Sequence, residues 1–336
     1  MRSRTLALLI FGFLISALSG QAQVNRVAQS GMTFLAIDVG ARPVAMGGSF
    51  ICMDGDANAL FWNPAGIARI RGIEFVLNET SWFADMKQYS LGLTYSMGKY
   101  GVVGLGFLIM DNPDVHVTTI RYAGGEKWED QGFQDIIDQH VLGISYARQI
   151  TDRFSVGGQA KWVHEDLGTW EYEPRAEGDL DSSFVAKKNV LAYDFGTQYY
   201  AGFRDLRVAL SIRNFAPRTR YQLEYFELPL IFSLGMAMDV LSIFMPDDKV
   251  HSLTLSVDAI HPRDYSERVQ IGGEYWFGDM VALRAGYKFN HDLESFAGGI
   301  GVKKSLGTCT VRIDYSYSQF GGIFDDVHRL SFGFSR

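Results

Sequence analysis

Cysteine is nearly absent from this chain: two residues, Cys52 and Cys309, in 336. That excludes a disulfide scaffold, and the two residues sit in unrelated contexts that argue against even one bridge. Prolines number only eight, which excludes a Pro-rich linker or low-complexity chain. Neither sign of charge dominates: 31 Lys and Arg stand against 38 Asp and Glu, a net charge of −7. A nucleic-acid partner calls for a basic patch, so none is expected. Long apolar runs are missing after residue 22, and mean hydropathy is −0.01; a membrane helix needs about 20 apolar residues in a row. Catalytic spacings are lacking too. The seven histidines are scattered, with no Ser or carboxylate at a motif distance. The chain therefore reads as a non-enzyme with no cofactor.

What the sequence does have begins with a leader. Arg2 and Arg4 precede an apolar stretch from Leu6 to Leu18, and small Gly20 and Ala22 suit cleavage before Gln23. Residues 1–22 thus predict a cleaved signal peptide, residues 23–71 an N-terminal plug or hatch segment, and residues 72–336 a barrel. From Gly72 onward the apolar period is two. Val281, Leu283, Ala285 and Tyr287 alternate with Ala282, Arg284, Gly286 and Lys288; Val311, Ile313, Tyr315 and Tyr317 alternate with Arg312, Asp314, Ser316 and Ser318. One apolar face opposite a small or charged face is the pattern of a strand between lipid and a polar lumen.

About fourteen such strands are expected. Their starts fall near Gly72, Gln88, Gly101, His140, Phe154, Val190, Leu206, Pro229, His251, Val269, Met280, Ser295, Thr308 and Val327. Connections alternate in length, as in a barrel with both termini in the periplasm. Those at Asp111–Gln139, Glu165–Asn189 and Asn214–Leu228 are long. Trp82–Lys87 and Leu241–Val250 break the rule, being short and long respectively where the opposite is expected. The first two long loops are acidic and read as solvated. The fold class is all-β: an antiparallel transmembrane barrel with an N-terminal plug, in the outer membrane of a Gram-negative-type cell, with lipid as its surrounding partner.

Charges at inward positions are the most informative feature. Asp194, Arg207, Arg284, Lys288, Arg312 and Asp314 should all point into the lumen, and so should Arg213, Asp258, Glu274, Lys303 and Arg329. On the lipid face each would cost several kcal/mol. They are read as an ion-pair network holding the plug, in preference to an open polar channel.

Within the plug, Gly47-Gly48 permits positive φ, and Asn63-Pro64-Ala65-Gly66 is a turn signal. Gly47, Gly48, Asp54, Asp56, Asn63, Pro64 and Ala65 are the candidates for plug gating or ligand contact; Asn63-Pro64-Ala65 reads equally as a fixed turn against the wall. Asp54, Asp56 and Asn58 have oxygen-ligand spacing, but the Glu a calcium loop needs is missing, so a turn or cap is expected and no metal.

The stretch VGARPVAMGGSF…DGDANALFWNPAGIARI resembles the N-terminal signature of the PorV/PorQ family of outer-membrane proteins, and ISYARQITDRFSVGGQAKW at 144–162 is a second match. That family in turn looks like FadL-type barrels, whose plug carries a similar Asn-Pro-Ala. The resemblance implies a role as an accessory of protein export, binding the type IX secretion translocon or the C-terminal domains of its cargo. The alternative it implies is FadL-like, plug-gated passage of small hydrophobic molecules. The charged lumen favours the first.

Overall fold

The computed structural model describes residues 29–121, 127–172, 182–221, 224–248, 250–322 and 324–336. The expected leader, residues 1–22, lies outside them, as do the tips of the two acidic loops. The strands in chain order are β1 (Ile73–Ser81), β2 (Lys87–Ser96), β3 (Val102–Asp111), β4 (Val115–Arg121), β5 (Lys127–Gln134), β6 (Asp138–Gln149), β7 (Phe154–Tyr172), β8 (Ser182–Tyr200) and β9 (Arg207–Phe215). They continue as β10 (Thr219–Arg220), β11 (Tyr225–Phe226), β12 (Ile231–Asp239), β13 (His251–Pro262), β14 (Arg268–Phe277), β15 (Val281–Phe289), β16 (Glu294–Leu306), β17 (Cys309–Phe320) and β18 (Val327–Ser335).

Fourteen of them close into one antiparallel barrel, as the alternation predicts. The pairs β4–β5 and β10–β11 are small hairpins outside that wall. Closure is made by β1 on β18, where Ile73 and Arg336 exchange backbone hydrogen bonds of 2.9 and 2.8 Å. No edge strand is left at the seam, which is how a barrel satisfies its backbone polar groups. Burial follows the sequence period. Along β15, Ala282, Arg284, Gly286 and Lys288 are buried while Leu283, Ala285 and Tyr287 are exposed. A slip of one residue would turn Arg284 and Lys288 onto the apolar outer face, so the register is strongly specified.

Both described ends of the wall meet at one rim, here the turn end; the opposite rim is the loop end. Strand starts agree with the sequence to within two residues except at β8, which begins at Ser182 rather than Val190. Glu165–Asn189 is therefore corrected from a loop to the upper half of a long hairpin, with β7 and β8 each 19 residues long. Around residues 165–168 and 185–189 the side chains are mostly charged or polar, so the apolar stripe that marks a strand is missing. The two exceptions in connection length also have local causes. Residues 82–86 turn tightly because Ala84 and Asp85 adopt φ of 54° and 59°. At the turn end, Asp239 accepts from the backbone of Leu241 and Leu253 and organises the short helix Leu241–Phe244.

Residues 29–70 enter the lumen as short turns and helices. The run begins beside Glu227 at the loop end, where Ser30 forms a parallel bridge. It leaves at the turn end into β1. Nearly all of Val39–Ile70 is buried, and it forms the core that the wall surrounds.

Candidate functional site

The plug seats where the wall has no side chains. Gly47 and Gly48 hold φ of 64° and 78°, a region that suits glycine. They bring the backbone of Met46-Gly47 against Gly272 and Gly286, where any Cβ would collide with it. Asn63-Pro64-Ala65 is treated the same way, nested against wall glycines Gly157 and Gly196. Asn63 is 1% exposed. Its amide donates to Ile51 O at 2.8 Å and Thr197 O at 3.3 Å, and its Oδ1 accepts from Ala65 N at 3.0 Å. The side chain thereby caps the turn Pro64–Arg69 and ties it to β8. The inward small residues are thus the plug's footprint.

Below this lies a continuous charge network. Arg42 of the short helix Ala41–Ala45 sits between Asp56 at 2.6 Å and Glu274 at 2.7 Å. Arg284 bridges Glu274 at 2.6 Å and Asp314 at 2.8 Å. Arg312 closes the ring, 2.8 Å from both Asp314 and Asp56. Three guanidiniums face three carboxylates, so the unit is neutral and every carboxylate touches two cations. Asp56 also caps the turn Ala57–Phe61 by accepting from Asn58 N at 2.8 Å. Burial pushes the Asp56 carboxyl up, but Arg312 and Arg42 beside it outweigh burial and hold it down at about 2. Asp54 belongs to a second latch, 3.3 Å from both Arg69 and Arg207 and accepting from Tyr200 Oη at 2.6 Å. Asp54, Asp56 and Asn58 each face separate protein partners, and no metal-ligating cluster occurs among the described residues.

The remaining inward charges occur in smaller groups. Lys288 holds Asp38 at 2.7 Å and also contacts Glu294. Lys161 pairs with Asp194 at 2.8 Å. Arg213 donates to Phe61 O at 2.9 Å, and Arg329 to Ser318 at 3.0 Å. Asp258 accepts from Ile51 N at 3.2 Å. Lys303 lies at the turn-end rim against Asp279. Sequence reasoning had not singled out Arg42, Asp38, Lys161 or Glu294. Arg42 carried a readable signal, being the one charge in the otherwise apolar VGARPVAMGG. Cys52 and Cys309 are both free thiols.

The loop-end half of the lumen is different in kind. Met32, Phe34 and Val39 of the plug pack with Leu108, Val141 and Leu228 in an apolar cluster. Beneath it is a cavity of ≈ 40 Å³ lined by Leu35, Ile37, Val39, Phe61, Leu108 and Val141 together with the polar Gln159, Lys161, Asp194, Arg213 and Asn214. Inward Gly106 and Gly143 border this cavity. Beside it β9 carries one extra residue: Tyr193 and Phe195 of β8 face Phe215 and Ile212. Arg213 and Asn214 consequently both point inward, and Asn214 takes φ of 62°. A separate hollow of ≈ 370 Å³ opens at the turn end and is polar, bordered by Asp54, Glu74, Lys303 and Arg312.

Outside, the wall exposes Leu77, Leu91, Leu105, Ile144, Leu191, Leu234, Leu283, Ile300 and Leu330, each more than a third accessible. Apolar side chains occupy outward positions all round the barrel, far more than a water-exposed surface carries as one patch.

No protein-family profile and no curated protein matches the sequence. The fold does have solved counterparts. The toluene transporter TbuX of Ralstonia pickettii superposes with a TM-score of 0.53 at 13% identity, over 88% of this chain and 96% of that one. The toluene transporter TodX of Pseudomonas putida gives 0.54 at 12%, over 87% and 96%. A FadL homologue of Pseudomonas aeruginosa gives 0.53 at 11%, over 89% and 98%. The chain shares the FadL-like barrel fold. The likeness does not extend to showing membership of the PorV/PorQ family; the three proteins are two toluene transporters and a FadL homologue.

Proposed function

We propose that this barrel lies in the outer membrane and passes small hydrophobic molecules across it. The observation that carries the reading is the apolar cavity between the plug's first residues and β3–β6, at the loop end. Its lining joins Leu35, Ile37, Val39, Phe61, Leu108 and Val141 to the polar Gln159, Lys161, Asp194, Arg213 and Asn214, and at ≈ 40 Å³ it has to widen, by displacement of the plug's first residues, to admit a molecule the size of toluene. Two further observations support it. The apolar outer belt suits lipid, which β-structure crosses only as a closed barrel. The solved proteins that share the fold include two toluene transporters. In this reading residues 1–22 are removed on export, and the chain catalyses no reaction. A ligand leaving sideways would do so at the β8–β9 boundary, where the register shifts between Tyr193 and Phe195.

The export role rested on the PorV/PorQ resemblance and on a charged lumen that speaks against an apolar route; the partly apolar cavity at the loop end weakens that second ground. The test is uptake. Cells lacking the barrel should lose saturable uptake of labelled toluene, restored by the wild-type chain but not by Leu108→Trp, while protein secretion stays normal. Unchanged uptake together with cargo missing from the cell surface would reverse the choice between the two roles.

A further inference from the structure

A second cavity at the loop end, separate from the apolar one, has a different chemistry. It measures ≈ 90 Å³ and lies between the plug at Ala36–Asp38 and the start of β14. Most charges around it are already committed. Asp38 and Glu294 share Lys288. Arg263 pairs with Glu227 at 2.6 Å, and Arg213 donates to Phe61 O.

Two lining groups are not. Asp264 is only 8% exposed, yet it makes no hydrogen bond or ion pair among the described residues. Arg268 has a single distant partner, the exposed Asp292 at 3.6 Å, and its buried Nε has no acceptor. Its guanidinium stacks 4.4 Å over Tyr265, which fixes its position. Asp264 and Arg268 do not pair with each other, although both line the cavity. A carboxylate with no cation beside it and a buried guanidinium N–H with no acceptor are both groups that a ligand can satisfy. One small molecule bearing both charges would relieve both at once.

We propose that this cavity binds a small zwitterion of the α-amino-acid type, its ammonium on Asp264 and its carboxylate on Arg268. Pro262 and Ile260 provide an apolar wall for a short side chain. On the same volume measure a water needs about 10–15 Å³, so the space suits roughly six non-hydrogen atoms, the size of glycine or alanine. The site goes beyond hydrophobic transport and stands or falls separately from it. Its position on the loop-end face would make a polar metabolite an effector, or a second cargo, of the same barrel.

The experiment is isothermal titration of the full barrel, folded in detergent, with glycine, L-alanine, acetate, methylammonium and L-tryptophan. Glycine and alanine should bind saturably, one per chain. Acetate and methylammonium, each carrying one charge, should bind at least tenfold more weakly, and tryptophan not at all. Asp264→Asn and Arg268→Gln should each weaken glycine at least tenfold, with folding checked by heat-dependent gel mobility. No saturable heat with glycine, acetate binding as tightly as glycine, or folded variants that bind like wild type would each overturn the assignment. The wild-type comparison of glycine with its single-charge fragments decides the matter even if a variant does not fold.

Discussion

The two halves of the lumen hold the same plug by opposite means. At the turn end, Arg42, Arg284 and Arg312 interlock with Asp56, Glu274 and Asp314 at 2.6–2.8 Å. Such contacts are directional, and each depends on the others. At the loop end, Met32, Phe34 and Val39 meet Leu108, Val141 and Leu228 through apolar contact that tolerates substitution and leaves a cavity. Apolar packing has no angular demand, so that half can yield to a ligand of similar chemistry, while the charged half acts as an anchor. On the proposed transport reading, movement is accordingly assigned to the first residues of the plug rather than to the whole of it.

The sharpest way to break this contrast is to remove one member of the anchor. Asp56→Ala would leave Arg42 and Arg312 each short of a partner in a buried site, at a cost of about 3–5 kcal/mol. The denaturation midpoint in guanidinium should fall accordingly, and single-channel recordings should show openings that the wild-type barrel lacks. Replacing Phe34 with Leu, a comparable change at the loop end, should leave conductance closed. Equal conductance in the two variants would dissolve the distinction between anchor and yielding half.

Acid should act on the same group with a smaller effect. The Asp56 carboxyl is depressed to about 2 from an ordinary 3.8. A depressed carboxylate contributes stability that is fully present above its unfolded value and lost as pH falls through the folded one. The Asp56 contribution should therefore be constant between pH 7 and about 4 and fade between about 4 and 2, read as a further rise in conductance or in protease access to residues 29–70 over that lower window. Asp56→Asn should lose that pH step.

The loop-end half is tested by filling it. Leu108→Trp adds bulk to the apolar cavity, and overpacking costs typically about 1–3 kcal/mol. Toluene uptake should fall by tenfold or more while the anchor, and so the closed conductance, is unchanged. Val141→Trp from the neighbouring strand should do the same. Uptake that survives both would move the route elsewhere in the barrel.

The wall was legible in the sequence because lipid and lumen impose a strict period of two. Along β15 and β17 the inward and outward residues could be assigned from alternation alone. Legibility ended where that constraint ends. The described upper part of β7–β8 carries charged residues such as Glu165, Asp166, Lys187 and Lys188 where the wall strands carry an apolar stripe, and its strands were invisible. The plug was recognisable by motif but not by geometry, since Asp38 and Arg42 find their partners in the wall about 230 to 250 residues away in sequence. Period-two reasoning can say that Arg284 and Lys288 face inward; it cannot say which plug residue they meet. The apolar cavity was equally hidden. It is formed by Leu35, Ile37 and Val39, which are unremarkable in sequence and acquire meaning only beside Leu108 and Val141.

The smallest expected effect separates a fixed turn from a gate at Asn63-Pro64-Ala65. The turn lies between the two halves, so its role sets where the anchor stops. Its geometry is that of a support: the Asn63 side chain makes three hydrogen bonds, two of them to backbone carbonyls of Ile51 and Thr197. Asn63→Ala removes a cap, worth about 1 kcal/mol, and strips a donor from buried carbonyls, for about 1 kcal/mol more. A support predicts that loss in the denaturation midpoint with toluene uptake within about twofold of wild type. A gate predicts the reverse, altered uptake with little change in stability. Asn63→Asp separates the terms further, because it keeps the acceptor for Ala65 N but turns an oxygen toward Ile51 O. If the turn is a support, this variant should be less stable than Asn63→Ala despite retaining the cap, since a carboxylate facing carbonyls in a site 1% exposed is worse than an absent donor.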